Sequence, residues 1–418
     1  MASERVDRRE YLEKTVRLWL GLPDRSDVEV PRLPEPLARR FLREEEYEHS
    51  YRDQWGCWEF GFSESFRDGT LVSPEIDRWA AEERRRLEGA GISLTPLWPD
   101  GKAFALCLTH DVDLVSTSST PRQVLRSMQN SLERPRHGGL SQQLLRLARP
   151  PVRLARAART GISLAPSATP TLERCVAMEL EAGVTASYFF TVLPDRHVSR
   201  YDCLYGLNDP CTFRGERHRI VDVIRQLSDD GFDVGLHGSY HSALEPGLLA
   251  TQKATLERAT GLEIKTTRQH FLHWDIRTTP RLQDEAGLAA DSTLGFNRSI
   301  GFRAGTSLPF HHFDLESNSM LQLIEVPLII QDGPIFNPVA LELDVELALE
   351  LVHHLIDVIA DAGGVATLSF HPNNLEHDDF ATVYRSAIEY GLKRGGWAAS
   401  VGTIQSWWRE RAEKLAAA

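Results

Sequence analysis

Two acidic residues, Asp111 and Asp113, come just after a short apolar run at 103–109. A continuous apolar run of this length predicts a strand that is buried on both faces. Because residues i and i+2 of an extended chain point the same way, both carboxylates should face the same end of the sheet. Two neighbouring carboxylates repel each other unless a cation or a proton lies beside them. The pair therefore indicates a metal or acid–base site, or equally a loop in which aspartates cap a helix.

His237 is the last residue of another apolar run, at 232–237, and His241 follows four residues later. Histidines at i and i+4 lie on one face of a helical turn and can hold one metal ion. Alone, such a pair is more often found on the surface or at a helix cap. One carboxylate with two imidazoles, however, is a common ligand set of catalytic zinc, which leaves a position open for water. Together with the aspartates, the histidines favour a metal site.

Two further residues could assist the chemistry at such a site. His371 follows the apolar run at 365–370, and its ordinary pKa near neutral pH would suit a general acid. Arg268 could hold one of the aspartates ionised and orient it. Taken singly, an arginine such as Arg268 is more often part of a surface ion pair.

The elements that must position these residues follow an alternating pattern. Short apolar runs predict buried strands, and the segments between them carry helical periodicity. This alternation predicts an α/β fold with a parallel sheet. Seven or eight such units over about 300 residues predict a barrel, in which catalytic groups lie at the C-terminal ends of the strands. The runs are at 103–109, 185–193, 232–237, 323–330 and 365–370, and the helical patterns are at 171–183, 217–231 and 349–364.

The composition narrows the class of protein. The chain has 418 residues, of which 42% are hydrophobic and 25% charged, as in ordinary soluble proteins. No apolar run approaches the roughly 18 residues that a transmembrane helix needs. Residues 1–22 scatter charges where a signal peptide needs its apolar core, so we expect a cytoplasmic protein. The net charge of −12, from 47 basic and 59 acidic residues, argues against a nucleic-acid partner.

The cysteines are few, and their spacing shows no paired motif. There are five in the chain, and none forms a C-x-x-C pair. This spacing predicts reduced thiols, with neither a disulfide framework nor a thiolate zinc site.

Two regions lie outside the alternating pattern. Residues 1–100 predict a helical extension, and its aromatic cluster at 55–62 either packs against the main domain or forms one wall of a sugar site. Residues 121–160 contain nine Arg and a single Glu. This basic segment is either a solvated surface insertion or a contact with an anionic membrane or a phosphate-linked substrate.

These motifs, in this order, resemble the polysaccharide deacetylase family, which is carbohydrate esterase family 4 or the NodB-homology fold. The resemblance covers roughly residues 100–405. It includes T-H-D-V-D at 109–113, H-G-S-Y at 237–240, R-Q-H at 268–270, L-S-F-H at 368–371 and G-F-R-A-G-T at 301–306. Val112 separates two aspartates that are usually adjacent in the family, and Gly238 stands where Ser or Thr is usual.

The resemblance implies a distorted (β/α)7–8 barrel over residues 101–410 with one divalent metal ion. The ion would be held by Asp113, His237 and His241, with zinc expected first and cobalt, nickel or manganese compatible. Asp111 would be the base, His371 the general acid, and Arg268 the residue that orients Asp111. Tyr240, through its backbone N–H, and Arg303 would contact the substrate.

The implied activity is removal of an N-acetyl group from an amino sugar or glycoconjugate. Two alternatives stay open: hydrolysis of another amide or acyl group in small-molecule biosynthesis, or a non-catalytic carbohydrate-binding protein on the same fold. The second alternative is disfavoured because every catalytic role has a residue of the right type.

Overall fold

The computed structural model describes residues 4–115, 172–193, 199, 201–203, 205–338 and 340–418. The predicted basic insertion at 121–160 lies outside the described residues.

The N-terminal part is helical. Helix α1 begins where the Asp7 carboxylate accepts a hydrogen bond from the Glu10 N–H (2.8 Å). It ends at Gly21, whose φ of 75° suits a residue without a side chain. The elements of this part are strand β1 (Glu4–Arg5) and helices α1 (Arg8–Leu20), α2 (Glu35–Phe41), α3 (Glu44–Glu48), α4 (Glu64–Arg67) and α5 (Glu75–Gly89).

The rest of the described chain contains strands interspersed with helices. The strands are β2 (Phe104–Val112), β3 (Ser187–Thr191), β4 (Pro210–Phe213), β5 (Glu216–Arg219), β6 (Asp233–Gly238), β7 (Thr266–Gln269), β8 (Ala290–Asp291), β9 (Phe310–Asp314), β10 (Ser319–Glu325), β11 (Ile330–Gln331), β12 (Val365–Ser369) and β13 (Gly396–Ala398). The helices are α6 (Glu173–Ala182), α7 (Ile220–Asp229), α8 (Leu248–Thr260), α9 (Thr279–Glu285), α10 (Asp332–Phe336), α11 (Val345–Ala362), α12 (Asp378–Lys393) and α13 (Val401–Ala417).

The central sheet has the order β1-β10-β8-β7-β6-β3-β2-β12-β11. Every neighbouring pair from β10–β8 through β12–β11 is parallel, whereas β1 and β9 pair with β10 in the antiparallel sense. All side chains of β2, β3 and β12 are buried, as continuous apolar runs require. The predicted α/β class with a parallel sheet is confirmed.

One segment joins the two ends of the parallel array. The Val326 N–H donates to the carbonyl of Asp291, the last residue of β8 (2.9 Å), and three residues later the Ile329 N–H donates to the carbonyl of Thr367 in β12 (3.2 Å). The chain then pairs with β12 as β11. The segment 326–331 therefore curves from one end of the array to the other. Between these two ends, strands β12, β2, β3, β6 and β7 are successive neighbours in the sheet, so their C-terminal ends lie side by side.

The N-terminal helices are docked on this sheet by buried polar contacts. The Trp19 indole N–H donates to the carbonyl of Pro309 (3.0 Å). The Arg303 guanidinium makes two parallel hydrogen bonds to the Glu46 carboxylate on α3, at 2.9 Å and 2.6 Å. Arg303 and Glu46 are only 5% and 3% exposed. The structure thus engages Arg303, predicted to contact substrate, in a buried ion pair with the N-terminal part.

Some rings of the aromatic cluster in the extension are packed, and one is exposed. Trp58 packs with Leu71 and Phe296, and Phe60 lies against them. Phe62 is half exposed. None of the helices among the described residues is long and apolar enough to cross a membrane.

The Glu46–Arg303 pair yields a stability prediction. Replacing Glu46 with alanine should lower the free energy of unfolding by roughly 3–5 kcal/mol, because it leaves a buried guanidinium without its counter-charge. Glu48 lies on the same helix but pairs with Arg39 at the surface (2.8 Å). Glu48→Ala is therefore the matched control, with an expected loss below about 1 kcal/mol. Urea denaturation of both variants measures the difference, and equal stabilities would contradict the docking role of Glu46.

Candidate active site

Four side chains of metal-ligand types converge at the C-terminal ends of β2, β6 and β7. Asp113, Cys203, His237 and His270 each offer one donor atom, and these atoms all lie within 4.8 Å of one another. Asp113 Oδ1 is 3.2 Å from His237 Nε2 and 3.3 Å from His270 Nδ1. The Asp113 side chain is one-third exposed and both histidines are buried, so the cluster meets solvent on the Asp113 side.

The backbone fixes which ring nitrogens face the cluster. His237 Nδ1 is 2.9 Å from the carbonyl of Arg268, and His270 Nε2 is 2.6 Å from the carbonyl of Tyr201. A carbonyl only accepts, so each of these nitrogens carries a proton. The remaining nitrogens, His237 Nε2 and His270 Nδ1, lie 2.8 Å apart and both present lone pairs when the rings are neutral. Two lone pairs at this distance repel unless a proton or a metal cation lies between them.

The donor separations suit a divalent ion. Zinc binds nitrogen and oxygen at about 2.0–2.1 Å, so two tetrahedral ligands lie about 3.3 Å apart. The two separations from Asp113 are close to this value, and the histidine pair is closer together. Anchoring of each imidazole by a backbone carbonyl is also typical of metal-ligating histidines. The residues present therefore fit a divalent metal.

The local charges support the same interpretation. Burial opposes the charged form of Asp113, but His270, His237 and His371 together hold its pKa well below the ordinary value. Burial would likewise lower the pKa of His270, yet Cys203 and Asp113 raise it well above its usual range. The site therefore favours positive charge among these donors.

His241 is not among the residues that the structure brings together. His237 is the penultimate residue of strand β6, and the segment 240–243 is a short 3₁₀ turn. The i, i+4 argument needs both residues on one α-helix, so it does not apply here. The His241 side chain is exposed and lies edge-on against the Tyr240 ring, with 5.4 Å between the ring centroids.

His270 lies beside His237 because β7 is the neighbour of β6. It follows Gln269, the last residue of β7. Phe271 and Leu272 then adopt positive φ values of 58° and 50°, which turns the chain sharply away from the site. Cys57 of the N-terminal part donates from its thiol to the Phe271 carbonyl (3.2 Å) and supports this turn. The R-Q-H motif at 268–270, which the sequence analysis noted for Arg268, was the available sequence signal for His270.

Cys203 lies among these donors, whereas the sequence analysis predicted no thiolate zinc site. Its Sγ lies 3.6 Å from Asp113 Oδ1 and 3.9 Å from His270 Nδ1. Burial raises the pKa of this thiol to about 11. The expectation relied on paired cysteine spacings, and those cannot reveal a single cysteine that a loop brings to the site.

Gly238 lies against the side chain of Gln269 on the neighbouring strand. A Cβ added to Gly238 would lie 2.3 Å from Gln269 Oε1 and 2.8 Å from its Cδ. The family that the motifs resemble usually has Ser or Thr at this position. Either side chain would overlap Gln269 here unless Gln269 moved.

Arg268 holds Asp111 in the sheet interior. Its Nη1 donates to Asp111 Oδ1 (3.0 Å), Thr109 Oγ1 (2.7 Å) and Ser369 Oγ (3.1 Å). Its Nε and Nη2 donate to the carbonyl and hydroxyl of Ser292 (2.6 Å and 2.8 Å). Burial opposes the charged form of Asp111, but Arg268, with His237 and His371, outweighs it and holds the Asp111 pKa below its ordinary value.

Asp111 and Asp113 reach the site by different routes. Asp111 lies within β2, whereas the Asp113 N–H donates to the Asp111 carbonyl (3.0 Å). This i to i+2 hydrogen bond marks a turn centred on Val112. The expectation that both carboxylates point the same way assumed extended chain through 113. The turn instead gives Asp111 to Arg268 and Asp113 to the histidines.

His371 forms an ion pair with Asp332, which the sequence analysis did not single out. His371 Nδ1 is 2.7 Å from Asp332 Oδ1, and the His371 backbone N–H donates to Asp332 Oδ2 (2.7 Å). Burial lowers the pKa of His371, but Asp332, Asp113 and Asp111 outweigh it and raise that pKa to about 10. Asp332 directly follows strand β11, so its position at a strand end was the signal.

Partly exposed aromatic rings border the cluster. The Tyr201 ring lies 4.9 Å from that of Tyr240 and 5.3 Å from that of Phe271. Trp55 of the N-terminal part stacks on Phe271 at 6.0 Å, and its carbonyl accepts a hydrogen bond from the Tyr240 hydroxyl (2.7 Å). The Tyr240 backbone N–H, predicted to contact the substrate, donates to Asp202 Oδ1 (2.7 Å).

A second group of metal-ligand types, Asp291, His312 and Glu325, lies inside the sheet. Each side chain is at most 1% exposed. Burial raises the pKa of Glu325 to about 7 and that of Asp291 well above its usual value, and it lowers that of His312 to about 3. Burial thus favours the protonated, neutral form of the two acids and the unprotonated, neutral form of His312. This group therefore carries little charge, in contrast to the cluster around Asp113.

No protein-family model matches the chain, and no curated protein matches it in sequence. Among solved structures, the chain is similar to a candidate polysaccharide deacetylase of Mycobacterium smegmatis, with 21% identity and a TM-score of 0.48 over 75% of this chain and 93% of that one. It is also similar to the Puue allantoinase, with 14% identity and a TM-score of 0.45 over 78% and 96%. A candidate polysaccharide deacetylase of Pseudomonas aeruginosa PAO1 gives 15% identity and a TM-score of 0.44 over 78% and 97%. At these values the comparisons do not assign an activity to the chain.

The site geometry predicts which histidines retain metal. Protein purified without added metal should hold about one divalent ion per chain, as single-ion zinc sites do. His237→Ala and His270→Ala should lose most of it, because each removes a donor of the cluster. His241→Ala is the matched control and should keep the ion, because the His241 side chain is exposed outside the cluster. Elemental analysis of the four proteins measures this, and a loss in His241→Ala equal to that in His270→Ala would refute the assignment.

Proposed function

We propose that this protein is a metal-dependent hydrolase of the polysaccharide deacetylase family that removes an N-acetyl group from an amino sugar or a sugar-containing intermediate. One observation carries the proposal. A cluster that fits a metal ion lies beside a buried ionised carboxylate and a cationic imidazole, all at the C-terminal ends of neighbouring parallel strands. The motifs at 109–113, 237–240, 268–270 and 368–371 support the family and the carbohydrate substrate.

Asp113, His237 and His270 would hold the ion. One carboxylate and two imidazoles suit zinc first, while cobalt, nickel and manganese are compatible. When bound, the ion would supply Lewis-acid activation of water and of the scissile carbonyl. His270 takes the place that the family resemblance gave to His241.

Asp111 is the proposed base. Arg268 keeps its carboxylate ionised and fixes one of its oxygens, which leaves the group ready to accept a proton from the attacking water. A pKa below the usual range makes Asp111 a weak base, so it would hold that proton only briefly. Arg268 acts here as a positioning residue.

His371 is the proposed general acid. Asp332 fixes its tautomer, because Nδ1 donates to the carboxylate and Nε2 faces Asp113 at 3.6 Å. With a pKa near 10, the ring carries both protons at neutral pH. It can then give the Nε2 proton to the departing amine, which is a poor leaving group when unprotonated.

The aromatic border supports a ring-shaped substrate. Tyr201, Tyr240, Phe271 and Trp55 each leave part of their side chain exposed beside the cluster. Binding sites for small molecules are commonly lined by such rings, with a few polar groups that fix orientation. We place the sugar ring against this border, with Tyr240 as a contact through its side chain.

The proposal predicts separate losses for the base and the acid. Asp111→Asn and His371→Gln should each lower kcat by about 10²–10⁴-fold while metal content stays at the wild-type level, because neither residue is a donor of the cluster. His353→Gln is the matched control and should keep full activity, since His353 lies on the outer helix α11 and contacts Ser386. The assay is acetate release from free, nucleotide-linked and lipid-linked N-acetyl amino sugars, with linear amides run in parallel.

The outcomes separate the alternatives. Acetate release from a sugar, lost in both variants, would support the proposal. Turnover of only a non-sugar amide would overturn the carbohydrate substrate and favour small-molecule biosynthesis. Sugar binding without any hydrolysis by the metal-loaded protein would favour a carbohydrate-binding protein.

A further inference from the structure

Cys203 lies among the proposed metal ligands, although the family resemblance assigns no sulfur to the site. Its Sγ is 3.6 Å from Asp113 Oδ1 and 3.9 Å from His270 Nδ1. The side chain is 5% exposed. The thiol is therefore held against the donors and shielded from solvent.

The two residues before Cys203 are both hydrogen-bonded to residues at or beside the site. The Tyr201 carbonyl lies 2.6 Å from His270 Nε2 and orients that imidazole. Asp202 accepts hydrogen bonds from the backbone N–H groups of Tyr240 and Ser199, each at 2.7 Å. The position of Cys203 thus follows from the same contacts that orient the neighbouring donors.

The separations suit a sulfur ligand. Zinc binds thiolate at about 2.3 Å and nitrogen or oxygen at about 2.0–2.1 Å, so a tetrahedral sulfur lies about 3.6 Å from its fellow ligands. The two measured separations from Cys203 are 3.6 Å and 3.9 Å. The distances involving sulfur are thus longer than those between Asp113 and the histidines, as the larger atom requires.

We propose that Cys203 is a fourth protein ligand of the metal ion and that its sulfur makes the site selective for zinc-like ions over manganese. This inference rests on the proposed metal site. Thiolates prefer zinc and other softer ions, whereas sites built only of carboxylates and imidazoles also accept harder ions such as manganese.

A fourth protein ligand changes how the site meets water. Catalytic zinc sites commonly have three protein ligands and one open position, whereas four protein ligands are typical of closed sites. Cys203 therefore competes with water and substrate for one position. The thiol therefore also controls whether water or substrate can reach the metal, in addition to the solvent exposure of the site at Asp113.

Cobalt substitution tests this ligand without an activity assay. The metal-free protein is loaded with Co²⁺ under exclusion of oxygen, and its absorption spectrum is recorded. Wild type should show a thiolate-to-cobalt charge-transfer band in the near ultraviolet. Cys203→Ser and Cys203→Ala should bind cobalt and lose that band. Cys211→Ser is the matched control and should keep it, because Cys211 is equally buried but lies on β4 outside the cluster.

Competition between metals provides the second measurement. The preference for Zn²⁺ over Mn²⁺, taken as the ratio of the two dissociation constants, should fall by about tenfold or more in Cys203→Ala. It should be unchanged in Cys211→Ser. Circular dichroism of each variant checks that the fold is retained.

The outcomes distinguish this inference from the proposed function. Cobalt bound by wild type without a charge-transfer band, or a band that persists in Cys203→Ala, would overturn the cysteine ligand and leave the metal site standing. Failure of wild type to bind cobalt or zinc at all would overturn both.

Discussion

The candidate site depends on the hydrogen bonds that the buried guanidinium of Arg268 donates. Its side chain donates to residues of β2 and β12 and to Ser292 beyond β8, while its backbone carbonyl accepts from His237. One residue thus fixes the proposed base through its side chain and a proposed ligand through its main chain. A buried charge without partners would cost several kcal/mol, so the strands around Arg268 must assemble in this register for the chain to fold. The fold and the site are therefore stabilised by the same contacts.

Alternation of charge around the cluster follows from this arrangement. The positive Arg268 stands beside Asp111, the histidines beside Asp113, and Asp332 beside His371. Two carboxylates from one motif thereby acquire different partners, and the turn at Val112 separates them. The carboxylate of Asp332 likewise favours the cationic form of the His371 imidazole. Environment, more than residue type, assigns the proposed roles.

The sequence predicted those features that depend on local pattern. Continuous apolar runs identified the parallel sheet, and their C-terminal ends identified Asp111, Asp113, His237 and His371. Arg268 was identified from the R-Q-H motif, and the structure gathers all five residues at one end of the sheet. The sequence-based prediction assigned His241 and did not single out His270 as a ligand, because it treated a strand end followed by a 3₁₀ turn as helix. Asp332 lies at a strand end but was not singled out, whereas Cys203 comes from a loop whose approach to the site depends on tertiary structure that no local spacing encodes.

The contact between Gly238 and Gln269 has a consequence for relatives of this chain. Because a side chain at 238 would overlap Gln269 on the next strand, the two positions should change together during evolution. Chains with Ser or Thr after the first histidine should carry a smaller or differently placed residue at the position of Gln269. The glycine and the glutamine together would then mark a lineage, and a search that requires Ser or Thr at 238 would pass over its members.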